Sequence, residues 1–418
     1  MALGALCLGA ALASSSAFAE RDAATPQLEL VWSVEGEPYG SSRSLEPTLT
    51  IATDKVFVDA NVTKDDRRHE VIRAFGLEDG HPAAMIANPD GDPFEGLGDS
   101  IAVNDRFLVT ALYGKAQFGK DAELLVYDAD TLDLRHRIKN PREGNGAFFG
   151  QGGVALHKDR VLAATAFTQD QISTAWLFSA ETGEILLTID EPDVPTNSKG
   201  KVRRSFFGHT LAMNETHIAI AANDRSGPGG LSARGVVYIF DARDGSLLHR
   251  LDSPGSGRAS LFGRSMTMSE DTLYVSGLDD TGELNWPTGT VYAFDLGSGK
   301  LKFEIADPGV PKDQDEFSAG KQGWGFPSGL SVDGPYLFSG LPDWSGEKQR
   351  QGGLIVLDAQ TGEQIFIYRH KTGEGGAAYG TTIAAGHGYV AAMEEKDFFT
   401  AKSAKRVHLF KVEVSDSR

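Results

Sequence analysis

The sequence predicts an all-β fold: a seven-bladed β-propeller of four-stranded antiparallel blades, closed by an N-terminal strand that completes the last blade. Three observations predict it. Many short apolar runs are separated by Gly, Asp and Pro, which is typical of an all-β protein. An aromatic–glycine pair recurs along the chain at a long, regular spacing. A spare strand precedes the first repeat, and the last repeat stops one strand short.

The N-terminus has the features of an export signal. Residues 2–13 are apolar or small, and Ala17-Phe18-Ala19 fits the small-x-small pattern before a cut at Glu20. No Lys or Arg precedes the apolar run, which we interpret as a start codon upstream of Met1. We therefore predict an exported protein, periplasmic or secreted, with a signal peptide at residues 1–19 and a short linker at 20–27.

Composition excludes several function classes. The single cysteine, Cys7, lies inside the signal, so the mature chain has none for a disulfide, a thiolate metal site or a nucleophile. The net charge of −18 disfavours nucleic acid and anionic membrane surfaces, because both bind basic patches. We expect no nucleic-acid partner and, once the signal is removed, no membrane span.

Seven repeats follow, each starting at an aromatic–Gly pair or a degenerate form of it. Successive glycines lie about fifty to sixty residues apart, which matches a four-stranded propeller blade. The starts are Leu45-Glu46-Pro47, Leu97-Gly98, Phe149-Gly150, Phe207-Gly208, Phe262-Gly263, the Trp324-Gly325-Phe326-Pro327 stretch and Tyr379-Gly380.

Each of the first six repeats contains four strands in order, which in the fourth repeat are residues 210–213, 217–221, 236–240 and 246–251. A five-residue hairpin joins the third and fourth strands. It begins with Asp or Ser, which can accept bonds from the following amides, and ends with Gly, which tolerates a positive φ. The hairpins are Asp128–Leu132 (altered at its last residue), Ser179–Gly183, Asp241–Gly245, Asp295–Gly299 and Asp358–Gly362.

The two ends of the chain predict ring closure. The seventh repeat stops after a third strand at residues 406–412, and a spare strand lies at Leu28 to Val34. Pairing these strands completes the seventh sheet and removes an open edge. We predict one propeller at residues 28–413 and a C-terminal tail at 414–418.

The strand order places the long loops on one face. Loops between strands two and three share a face with the loops between blades, and the tight hairpins lie on the opposite face. Long loops on a rigid scaffold often carry function, although these loops could equally be only solvated segments. The candidate binding residues on this loop face are the aromatic side chains Trp286, Trp344, Phe398 and Phe399.

The first position of each innermost strand should lie at the mouth of the central channel. An acid, an imidazole and a guanidinium there could hold an anionic or hydroxylated ligand; alternatively, they bond neighbouring blades. The candidates are Asp99, His209, Arg264, Ser328 and Thr381. The next position in each strand is small or hydroxylated, which we interpret as structural.

Motifs of known chemistry are missing from the sequence. There is no nucleophile elbow, P-loop, dinucleotide fingerprint or His-Glu-x-x-His stretch, so we predict no catalytic residue and no cofactor. Asp90, Asp92 and Glu95 form the candidate cation site, since clustered carboxylates suit Ca²⁺. This stretch lacks the run of oxygen ligands of a complete loop, and a solvated acidic loop is the alternative.

The repeated Phe-Gly pair, followed by a small residue and an alternating apolar strand, resembles the FG-GAP repeat of the integrin α-chain propeller and its bacterial relatives. The resemblance covers essentially the whole mature chain and implies ligand recognition through the loop face. In that family the hairpin between the first two strands often carries a calcium loop. Here that hairpin is short, so calcium is not carried over: Asn104-Asp105, Asn214-Glu-Thr216, Ser269-Glu-Asp271 and Asp333-Gly334.

A second stretch, residues 289–301, is similar to the repeat of pyrroloquinoline-quinone propellers, which include dehydrogenases and non-catalytic assembly scaffolds. The tryptophan that usually ends such a repeat is missing, so no cofactor site can be transferred. Two hypotheses follow. The chain is a non-catalytic binding or scaffold propeller that recognises a protein or a glycan; alternatively, it is an enzyme, a quinoprotein-like oxidoreductase or a hydrolase or lyase, with its site at the channel mouth.

Overall fold

The computed structural model describes residues 26–35, 48–91, 96–113, 122–142, 149–165, 172–194, 206–223, 235–255, 261–279, 288–306, 326–327, 329–341, 353–369, 378–395 and 405–414. Every regular element in these ranges is a β-strand. No helix in them is long and apolar enough to cross a membrane. The residues before 26, which include the predicted signal peptide, lie outside the described part.

The first four blades take up the N-terminal half of the chain. Blade one comprises β2 to β5 at Leu49–Ile51, Lys55–Lys64, Arg67–Gly76 and Pro82–Ala87. Blade two comprises β6 to β9 at Gly96–Val103, Phe107–Tyr113, Glu123–Asp128 and Leu134–Lys139. Blade three comprises β10 to β13 at Phe149–His157, Arg160–Thr165, Thr174–Ser179 and Ile185–Asp190. Blade four comprises β14 to β17 at Leu211–Met213, His217–Asn223, Gly235–Asp241 and Leu247–Asp252.

The remaining blades follow the same plan. Blade five comprises β18 to β21 at Met266–Met268, Thr272–Asp279, Thr288–Asp295 and Leu301–Ala306. Blade six comprises β22 to β25 at Leu330–Asp333, Tyr336–Leu341, Gly353–Asp358 and Gln364–Arg369. Blade seven comprises β26 to β28 at Ala378–Gly386, Tyr389–Glu395 and Lys405–Val414, and β1 at Pro26–Glu35.

The strand order confirms seven antiparallel four-stranded blades. Six sheets pair their strands in chain order, and the seventh has the order β1-β28-β27-β26. Leu28 pairs with Val412 and Val34 with Val407, so the predicted closure by the N-terminal strand is confirmed. The register shifts by one residue between Leu30 and Trp32, where β1 has a bulge.

The aromatic–Gly pairs pack the core of the blades. Phe149, Phe207, Phe262 and Tyr379 are completely buried. The glycine that follows each of them has a positive φ, between 76° and 89°, which only glycine adopts without strain. In blade six the buried aromatic is Phe326.

Among the described residues, seven hydrophobic clusters join consecutive blades around the ring. The cluster between blades two and three, for example, brings Phe107 and Val126 against Phe149 and Trp176. The cluster that joins blade seven to blade one contains Trp32, Phe75 and Leu409. The ring is therefore closed by apolar packing between its ends as well as by strand pairing.

The predicted five-residue hairpins are also confirmed. In each, the amide of the last residue donates to the carbonyl of the first, as Gly245 does to Asp241 over 2.9 Å. The last residue has a positive φ, between 67° and 75° at the four glycines. Leu132 takes the same conformation with a φ of 60°, so the altered hairpin of blade two has the same turn.

Candidate functional site

The small polar row of the innermost strands links neighbouring blades. The hydroxyl of Ser100 donates to the carbonyl of Gly150 over 2.9 Å, and that of Thr210 donates to the carbonyl of Arg264 over 3.0 Å. Ser265 accepts from the amide of Leu330 over 3.2 Å. The structural interpretation of this row is therefore confirmed for blades two, four and five.

Two of the channel-mouth candidates have described side chains and equivalent backbone turns. The amides of His209 and Arg264 donate to the carbonyls of Phe206 and Leu261 respectively. The Nδ1 atom of His209 lies 3.0 Å from the carbonyl of Phe206 and 3.3 Å from that of Ala221. Because a carbonyl oxygen only accepts, Nδ1 carries the proton, and the imidazole is fixed to its own blade.

The other channel-mouth candidates differ in what the structure describes. Thr381 is half-buried, and its hydroxyl oxygen is shielded from solvent with no hydrogen-bond partner in the described part of the chain. Asp99 lies in β6, but its side chain is outside the description. Ser328 lies outside the described residues altogether.

The candidate cation site is described only at Asp90. Both carboxylate oxygens of Asp90 accept from Arg137, over 2.7 and 2.9 Å, and the same guanidinium reaches Glu123 over 2.8 Å. These hydrogen bonds raise the pKa of Arg137 above its usual range. Asp92 and Glu95 lie outside the described residues, as do the loop-face aromatics Trp286, Trp344, Phe398 and Phe399.

The hairpins between the first two strands are short, and they tether blades to one another. Asn214 caps its own hairpin by accepting from the amides of Thr216 and His217. Its amide nitrogen donates to the carbonyls of Ser269 and Glu270 in the next blade. No three His, Cys, Asp or Glu side chains come together as a metal site within the described residues.

A buried polar group that the sequence analysis did not single out lies in the closing blade. The Nε2 atom of His408 is 3.0 Å from a carboxylate oxygen of Glu394, and its Nδ1 atom is 2.8 Å from the hydroxyl of Ser33. The side chains of His408 and Glu394 are only 3% and 4% exposed, whereas Ser33 is exposed. Three strands, β1, β28 and β27, supply one residue each.

Arginine and a second carboxylate extend this group toward the surface. Nη1 of Arg406 lies 3.4 Å from the same oxygen of Glu394, and Nη2 lies 2.9 Å from Glu35. A buried carboxylate is costly unless it is paired and hydrogen-bonded, and Glu394 has both a histidine and an arginine beside it. We refer to Ser33, His408 and Glu394 together as the relay. The charged side chain of Arg406 lies beside its buried carboxylate.

Aromatic side chains surround the relay on the side of blade six. The ring of Tyr379 lies 5.1 Å from that of His408, and Tyr368 of β25 lies 4.7 Å from Phe410. Burial and the nearby charge of Glu394 raise the pKa of both tyrosines, so both stay neutral phenols. The relay therefore lies between blades six and seven, beside an aromatic wall.

The repeat itself holds the signal for this group. In blades three, four and five, the third strand has an aromatic residue where blade seven has His408, and that residue packs on the buried aromatic of the Phe-Gly pair. The ring pairs are Phe149–Trp176, Phe207–Tyr238 and Phe262–Tyr292, each with centroids 5.9 Å apart. Alignment of the repeats therefore shows His408 at a position where three other blades have an aromatic residue, although blade one also has a polar residue there, Arg73.

No family model and no curated protein sequence matches the chain. Solved structures do match it. The chain is similar to Kuenenia stuttgartiensis hydrazine synthase, with a TM-score of 0.56 and 12% identity over 91% of this chain and 98% of that chain. It is also similar to the polysaccharide lyase Uly1, with a TM-score of 0.54 and 11% identity over 90% of this chain and 92% of that one. Likeness at this identity shows the fold alone, and the chain is a seven-bladed β-propeller.

Proposed function

We propose that the chain is an exported recognition propeller that holds long loops on a rigid ring and binds a protein or a glycan with them. The observation that carries this proposal is the polar row of the innermost strands. Ser100, Thr210 and Ser265 bond the backbone of the next blade. Side chains used in this way stiffen the ring, which is what a scaffold for binding loops needs.

The alternative of an enzyme with its site at the channel mouth has less support. Such a site needs titratable side chains that converge on one pocket. The imidazole of His209 is bonded through Nδ1 to two carbonyls of its own blade, which fits a structural role. The FG-GAP resemblance also favours recognition, because it implies binding through the loop face.

Binding to the mature chain, residues 20–418, tests the proposal by glycan array and by protein pull-down, each with and without added Ca²⁺. Aromatic side chains anchor both protein and sugar ligands, so Trp286→Ala and Trp344→Ala should weaken binding at least tenfold. Gln360→Ala on the hairpin face is the matched control and should leave binding unchanged. A ligand that binds all three variants equally would contradict recognition by the loop face.

A further inference from the structure

Blade seven differs from blade four at two core positions, where it has polar side chains. His408 stands where the third strand of blade four has Tyr238, and Glu394 stands where the second strand has Ala222. Two polar side chains in a core position cost stability unless their hydrogen bonds are complete. Packing alone therefore does not account for the pair.

The hydrogen bonds determine the tautomer of the imidazole. The carboxylate of Glu394 only accepts, so Nε2 of His408 carries a proton and donates it. When the ring is neutral, Nδ1 is therefore an acceptor, and the hydroxyl of Ser33, 2.8 Å away, donates to it. A serine hydroxyl that donates to a histidine, whose other nitrogen donates to a carboxylate, has the arrangement of an activated nucleophile.

Of the three hydrogen-bonded residues, only Ser33 is exposed to solvent. Glu394 and His408 are shielded from solvent, while Ser33 lies on the outer strand of the blade and is exposed. The acid and the base are thus protected, and the hydroxyl is open to a substrate. Tyr368 and Phe410 pack together beside His408, in the apolar core between blades six and seven.

We propose that Ser33 is a nucleophile toward carboxylic esters. His408 is its base, and Glu394 is a positioning residue that orients the imidazole. The Ser33 oxygen forms a bond to the carbonyl carbon while its proton moves to Nδ1 of His408. The bond to the alcohol oxygen breaks, the alcohol leaves with that proton, and an acyl-serine remains.

Water completes the reaction in the same way. His408 takes a proton from water as the water oxygen bonds to the acyl carbon, the bond to Ser33 breaks, and the proton returns to the serine oxygen. The sum is an ester plus water giving an acid plus an alcohol, with no change of oxidation state. This site lies in blade seven, away from the inner polar row, so it does not rest on the recognition function proposed above.

A fluorophosphonate probe tests the proposal, because it forms a covalent bond with activated serines. After the mature chain is treated, peptide mapping by mass spectrometry should find one label on the peptide that contains Ser33. Ser33→Ala should abolish the label and also the hydrolysis of p-nitrophenyl acetate. Ser246→Ala removes an exposed serine that follows the hairpin of blade four and is the matched control, which should react as the wild type does.

Two further variants distinguish a serine that is activated by His408 and Glu394 from one that is only exposed to the probe. His408→Asn should slow labelling at least a hundredfold, and Glu394→Gln at least tenfold, with circular dichroism and thermal melting used to confirm that each variant is folded. Ser33→Ala changes an exposed side chain, so of the three variants it should disturb the fold least. Its labelling and hydrolysis results therefore decide whether Ser33 is the nucleophile. Absence of a label on Ser33 in the folded wild-type chain, or ester hydrolysis unchanged by Ser33→Ala, would overturn the proposal.

Discussion

Gly208 and Ala164 are in contact across the boundary between blades three and four. A Cβ placed on Gly208 would lie 2.2 Å from the Cβ of Ala164, and the φ of Gly208 is +89°. The Phe-Gly pair therefore places a glycine where neighbouring blades approach closely, in a conformation that other residues adopt only with strain.

Gly208→Ala should lower the free energy of unfolding by about 2–4 kcal/mol, because it adds a steric clash to a strained φ. Gly388→Ala is the control, since its φ is +78° but nothing lies within 4 Å of the added Cβ. That variant should lose only the conformational part, about 1–2 kcal/mol. Urea unfolding measures both losses. Equal losses in the two variants would mean that Ala164 moves aside for the added methyl group at no cost in stability.

Trp32 anchors the closing strand to blade one. Its indole nitrogen donates to the carbonyl of Leu77 over 3.0 Å, and its ring packs on Phe75 with centroids 6.2 Å apart. Trp32→Ala should cost about 3–5 kcal/mol and expose β1 to limited proteolysis. Leu30→Ala on the same strand is the control, because Leu30 is 49% exposed and should change stability by less than about 0.5 kcal/mol. Equal protease sensitivity of the two variants would contradict an anchoring role.

The sequence was sufficient to predict the blades because their rules are local. The hairpin that ends at Gly245 needs an acceptor at its first residue and a positive φ at its last, and both requirements are visible in five letters. Leu132 shows the limit of such rules: nothing about leucine indicates a positive φ, and only its place in the repeat does. The turn forms there because the paired strands on both sides hold it in register.

The candidate site was harder to predict because its residues are far apart in sequence. Ser33 and His408 are 375 residues apart, and their contact depends on the register of a strand pair that closes the ring. The sequence predicts His209 at the channel mouth; in the structure it lies in the turn just before β14, and its bonds to two backbone carbonyls are not visible in the sequence. Side-chain partners of this kind follow from the three-dimensional register rather than from residue type.

Removing one residue of the buried pair His408–Glu394 should lower the free energy of unfolding more than replacing both residues together. Glu394→Ala leaves a buried imidazole nitrogen without its partner and should cost about 3–5 kcal/mol. A triple variant, His408→Tyr with Glu394→Ala and Arg406→Val, copies the residues of blade four and should recover most of that loss, because it removes the buried polar groups together. Chemical unfolding tests both, and a triple variant no more stable than Glu394→Ala would contradict this account.

The carboxylate of Asp128 makes the hairpin of blade two sensitive to acid. The amide of Thr131 and the guanidinium of Arg135 donate to it, and they lower its pKa from 3.8 to about 2. Because the folded pKa lies below the unfolded one, the stability that this carboxylate contributes is complete above about pH 4 and is lost as the pH falls toward 2.

Comparison of the wild type with Asp128→Asn measures this contribution, since Asn resembles the protonated acid. The wild type should be the more stable of the two from pH 5 to 7, and the difference should shrink between pH 4 and 2 until it disappears. Asp130→Asn removes the same charge from the same hairpin and controls for the change in net charge. A difference that stayed constant down to pH 2 would show that Thr131 and Arg135 do not favour the ionised form.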